Sequence, residues 1–81
     1  MQDRQEERLA DCFERVFPTL SRSAIPSATH DNVAGWDSIA DLTLVSLIGE
    51  EFGFEIDFED FEHATSFTAV LELIRARIAD G

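Results

Sequence analysis

The sequence predicts a small all-α domain, a four-helix bundle in which a short third helix accompanies three main ones and a long loop joins the first two. Three observations carry this. Apolar residues recur at helical spacing in three separate stretches, and no stretch alternates apolar and polar residues as a half-buried strand would. Turn-prone residues collect between those stretches rather than within them. At 81 residues the chain makes one domain, residues 1–81, of modest stability.

The first helix is expected from about Arg4 to Phe17, with Leu9, Cys12, Phe13, Val16, Phe17 and Leu20 on one face. Asp3, Glu6 and Glu7 stand at its start, where negative charge suits the helix dipole, and Pro18 follows its end. The connection from Thr19 to Asp37 is rich in Ser, Thr, Pro, Asn and Gly. So long a structureless loop is unusual in a compact domain and often functional. Ile25 and Val33 are expected to pin it to the core.

The second helix is expected over Ser38 to Phe52. Leu44, Ile48 and Phe52 form one stripe, flanked by Val45 and Leu47, while Ile39, Leu42 and Ser46 form another beginning beside Ser38. A helix apolar on two faces is deeply buried or has a second surface to cover. Gly49 weakens it by about 1 kcal/mol relative to Ala, and Gly53 reads as the residue that ends it. A short third helix falls within Asp57 to His63, with Phe58 and Phe61 three apart. Thr65 or Ser66 caps the last helix, Phe67 to Ala79, whose Phe67, Val70, Leu71, Ile74 and Ile78 face inward. Arg75 and Arg77 complement the dipole in its last turns.

Composition narrows function. Six Arg and no Lys oppose seventeen acids, for a net charge of −11. From Ser23 to Ile74 there is no basic residue and there are eleven acids, so the net charge lies on the middle of the chain. Such a field repels nucleic acid and anionic membrane and steers basic partners inward. No apolar run reaches the ~18 residues of a membrane span, and no signal-peptide pattern opens the chain, which makes a cytoplasmic protein the default. Cys12 alone allows no internal disulfide and reads as a small core hydrophobe. His30 and His63 lack ligand spacing and read as surface residues. The acids from Asp57 to Glu62 fit no EF-hand window, so no metal site is expected. Roughly 63% of the unfolded surface is buried at this size, which leaves no room for a deep cleft of about 300–1,000 Å³.

The most informative stretch is Gly35-Trp36-Asp37-Ser38-Ile39, followed by Glu50-Glu51-Phe52-Gly53-Phe54-Glu55-Ile56. Asp-Ser at a helix start is by itself the ordinary pairing of a cap. As a nucleophile Ser38 lacks a base placed beside it by local sequence, so a hydrolase triad has little support and no catalytic residue is expected. A serine modified by another enzyme needs only exposure and a helix start. A phosphate ester there would sit where backbone N–H groups favour an anion.

Over about Ile25 to Ile78 the chain resembles acyl and peptidyl carrier proteins. The resemblance rests on Gly35 two residues before Asp37, the Asp37-Ser38 pair, the hydrophobic Ile39 after it, the helical run into Gly53, and the short and capped helices beyond. It implies a bundle of the acyl carrier protein type. It also implies a 4′-phosphopantetheine arm, taken from coenzyme A, on Ser38, with Asp37 helping to present the site. Partners would dock on Ile39, Asp41, Leu42, Ser46 and Glu50. The implied partners are a phosphopantetheinyl transferase, an enzyme that activates an acyl or aminoacyl group, and a downstream synthase or transferase.

Trp36 fills a slot that is small in many fatty-acid carriers, Gly49 stands where Glu is common, and acidity comes late, at Glu50 to Glu62. These departures favour a free-standing monomeric carrier of a specialised pathway over the general fatty-acid carrier. An opening Met1 and an end just past the last helix are in keeping with a discrete protein. The alternative is an acidic helical adaptor of the same fold that binds a basic partner without an arm.

Overall fold

A strongly amphipathic stretch opens the structure. In the computed structural model, which describes residues 4–80, helix α1 spans Arg4–Val16 and buries Leu9, Ala10, Cys12 and Phe13. Asp3, expected at its start, lies outside the described residues. The Phe17 N–H donates to the Phe13 carbonyl at 2.8 Å, and Pro18, which has no N–H to donate, follows. Phe17 is buried, whereas Val16 and Leu20 pack only partly against the core.

The long connection is more ordered than its composition suggests. It contains a 3₁₀ turn, Ile25–Ser27, with Pro26 in its first positions, and sinks Ile25, Ala28, Val33 and Trp36 into the core. Asn32 braces it from within. Its Oδ1 accepts from the Thr29 N–H at 2.8 Å and its Nδ2 donates to the Ser27 carbonyl at 3.0 Å. Thr29 pairs antiparallel with Ser66 in an isolated bridge. The His30 N–H donates to the Thr65 carbonyl, and the Phe67 N–H to the Ala28 carbonyl, both at 2.9 Å. The loop is thereby fastened to the start of the last helix, and the described residues hold no strand.

Helix α2 spans Ser38–Phe52 and buries Ala40, Asp41, Leu44 and Ile48. Gly53 ends it at φ 79°, in the left-handed region, with its N–H on the Gly49 carbonyl at 2.9 Å. Arg8 of α1 covers that end. Its guanidinium donates to the Glu51 side chain at 3.0 Å and to the Glu51 carbonyl, and lies over the Phe52 ring. A cation there complements the dipole and satisfies a carbonyl that has no partner within the helix.

Helix α3, Phe58–Glu62, is capped by Asp57, whose side chain accepts from the Glu59 N–H, and buries Phe61. Helix α4, Phe67–Asp80, begins with the Ser66 hydroxyl accepting from the Ala69 N–H at 3.1 Å. Of the two candidate caps, Ser66 therefore does the work. Phe67, Val70, Leu71 and Ile74 are buried, but Ile78 is 40% exposed. The inward placement expected of Ile78 fails, because residues 75–79 are all exposed in the last turns. Phe13 is the aromatic centre of the core, edge-on to Trp36 at 5.2 Å and to Phe67 at 5.1 Å. Among the described residues no helix is long and apolar enough to cross a membrane.

Candidate site at the start of the second helix

Gly35 turns the chain at φ 88°, a region that only glycine adopts at little cost. The turn lets Trp36 drop into the core while Asp37 stays at the surface. Asp37 is extended and caps α2, its carboxylate accepting from the Ala40 N–H at 3.0 Å. The Asp37 carbonyl accepts from the Asp41 N–H at 2.9 Å, and the Asp37 N–H donates to the Gly35 carbonyl at 3.0 Å. Ser38 is thus the first helical residue, exposed, beside a fixed cap.

Four of the residues expected to meet partners share one exposed side of α2. Ile39 is 75% exposed and Leu42 57%. Ser46 and Glu50 continue the same side at helical spacing, both exposed. Ile39 and Leu42 thus form a small exposed apolar pair beside Ser38.

Asp41 is the correction. Expected on the docking face, it is 3% exposed, and its Oδ1 accepts from Trp36 Nε1 at 2.7 Å. The reason is helical phase, because Asp41 precedes Leu44 and Ile48 by three and seven residues and so joins the inward stripe. His30 is a second correction. Expected to be a surface residue, it is half-buried and packs on the Trp36 ring, centroids 4.6 Å apart. Its Nε2 is buried without a hydrogen-bond partner and lies 3.7 Å from Asp41 Oδ1, too far for a hydrogen bond. His63 is exposed and ends α3.

An open groove of about 810 Å³ runs beside α2, lined by Val45, Gly49, Phe54 and Ile56 among others. It is open to solvent rather than a deep cleft. Phe54 and Ile56 pack partly against the core beside the groove, and a Cβ added at Gly49 would meet the Phe54 carbonyl oxygen at 3.4 Å. Cys12 is a core residue, its thiol pushed up to about 11 by burial first and by the Glu51 charge second. Arg22 pairs with Asp11 at 2.7 Å and Glu14 at 3.4 Å, and Arg8 with Glu51. Glu50, Glu55, Asp57, Glu59, Asp60 and Glu62 are exposed from the outer end of α2 through α3. The described residues include no group of three or more His, Cys, Asp or Glu that could hold a metal ion.

No protein-family model matches the chain, and neither a curated protein nor a solved structure matches it.

Proposed function

We propose that this protein is an acyl or aminoacyl carrier of the acyl carrier protein type, holding its cargo on a 4′-phosphopantetheine arm esterified to Ser38. The observation that carries the reading is the setting of Ser38. It is an exposed hydroxyl at the first position of a firmly capped helix, with Ile39 at 75% and Leu42 at 57% exposure beside it.

The residues present fit the group. The α2 N-terminus offers a favourable electrostatic setting for a phosphate ester. Asp37 has committed its carboxylate to the Ala40 N–H, so it holds the helix start while leaving the serine open. When attached, the arm supplies a thiol that carries an acyl group as a thioester. Ile39 and Leu42 give partner enzymes an apolar contact, and Ser46 and Glu50 extend that face. The partners are a phosphopantetheinyl transferase, an acyl- or aminoacyl-activating enzyme and a downstream synthase or transferase, in a specialised biosynthetic pathway. The protein itself performs no catalysis in this scheme.

Incubation with coenzyme A and a broad-specificity phosphopantetheinyl transferase tests it. One phosphopantetheine group is expected, at Ser38, and Ser38→Ala is expected to abolish the addition while keeping the helical circular dichroism. No addition with an active transferase, or addition that survives Ser38→Ala, overturns the proposal and leaves the arm-free adaptor as the reading.

A further inference from the structure

We infer that Trp36 and Asp41 are positioning residues, whose buried hydrogen bond holds the Asp37–Ser38 step in the conformation a modifying enzyme receives. The inference rests on the carrier reading of Ser38. Core packing alone does not explain Asp41. It occupies an inward position of α2 in line with Leu44 and Ile48, where an aliphatic side chain would avoid the penalty of burying a carboxylate. What the carboxylate gains is a short, charge-assisted bond from Trp36 Nε1, 2.7 Å long.

The placement of that bond along the chain gives it its effect. Trp36 immediately precedes Asp37, and Asp41 lies three residues beyond Ser38. The bond therefore spans the site, in parallel with the Asp37 cap on Ala40 and the Asp41-to-Asp37 backbone bond. Its Trp36 end is itself fixed, by Phe13 edge-on at 5.2 Å, Phe17 at 5.8 Å and His30 at 4.6 Å. The start of α2 is thereby tied to the rings of α1 and its following turn. Asp37, Ser38 and Ile39 remain outward. Ordering this step before a partner arrives removes an entropic penalty from association.

Two variants remove the bond in different ways. Trp36→Phe keeps a ring in the core without the donor, and Asp41→Leu removes the acceptor. Both are compared with Asp41→Asn, whose carbonyl can accept the same N–H. Each is studied at a temperature where it is fully folded, with coenzyme A and a broad-specificity phosphopantetheinyl transferase. Trp36→Phe and Asp41→Leu are expected to raise the KM for the carrier about tenfold with kcat nearly unchanged, and Asp41→Asn to restore KM.

Amide hydrogen exchange gives a readout independent of loading. The Ala40 and Asp41 amides should exchange about tenfold faster in the first two variants, while Val70 and Leu71 in α4 keep their protection. Equal KM and equal exchange in all proteins overturn the inference. So does a uniform loss of protection that includes α4, which would mark a general loss of stability. If wild-type protein accepts no arm at all, the carrier reading falls, and hydrogen exchange still decides whether this bond orders the step.

Discussion

At the scale of single residues, Cys12 offers an isolated titration. The chain has no Lys and no Tyr, so Cys12 is its only side chain expected to ionise between neutrality and the Arg range. Folding raises its pKa from 9.0 to about 11. Between those values the folded thiol keeps a proton that the unfolded thiol has lost, so stability must fall as pH rises through the window. The loss approaches ~2 kcal/mol. Denaturant midpoints for wild type and Cys12→Ala should converge or cross as pH rises from about 8 to about 11. Parallel curves would mean that the thiol is not shielded as its burial indicates.

Asp41 and His30 show where residue-level reading of the sequence stops. The inward phase of Asp41 is written in its spacing to Leu44 and Ile48, but a carboxylate suggests surface unless its partner is known. That partner, the Trp36 indole, arrives from a loop. His30 carries no local signal at all, since its half-buried position depends on the connection folding back against Thr65.

At the scale of elements, helix boundaries were legible because caps and breakers are local chemistry. Asp37, Gly53, Asp57 and Ser66 each mark an end that the structure shows. The two glycines near the end of α2 should respond in opposite directions to alanine. Gly53 is left-handed at φ 79°, so Gly53→Ala should destabilise by about 1 kcal/mol. Gly49 has ordinary helical geometry, and an added Cβ would meet the Phe54 carbonyl oxygen at 3.4 Å, an ordinary contact. Gly49→Ala should therefore stabilise, by up to about 1 kcal/mol. Urea melts of both variants check the pair. Destabilisation by Gly49→Ala would show that the Phe54 carbonyl cannot accommodate the methyl group, and that the groove wall is tighter than its open geometry implies. The order within the long connection was less legible. Its composition signals turns, whereas the Thr29–Ser66 bridge that fixes it joins residues far apart in sequence.

At the scale of the whole molecule, charge is the dominant feature. Arg8 and Arg22 are engaged with acids of α1 and α2, while the acids from Glu50 through Glu62 are exposed with no basic residue among them. With a net charge of −11, these carboxylates repel one another in the compact state. Raising ionic strength from 0.01 to 0.15 M shortens the Debye length from about 30 to about 8 Å and should raise the Tm. The same change should slow association with a partner that presents a basic patch. Glu50→Arg, on the exposed side of α2, should weaken transferase binding more than Glu7→Arg on α1. Equal effects would mean that binding senses only net charge. Asp41, which the carrier resemblance groups with Glu50, is unsuitable for this test because its carboxylate is buried.

The fold could be read from the sequence because a small helical bundle is specified by local periodicity and caps. The exposed, capped setting of Ser38 was legible for a related reason, since Ser38 and its cap are adjacent in the chain. The support behind the site was not, because Trp36, Asp41 and His30 meet only after the loop closes. Whether Ser38 carries a phosphopantetheine arm is read most plainly from the mass of the intact protein purified from its native host, with peptide mapping of the Ser38 segment. A population heavier by one phosphopantetheine group, or by that group with an acyl chain, is expected, located at Ser38. A chain found wholly unmodified in cells whose transferase is active, or an arm mapped to any other residue, would contradict the carrier reading.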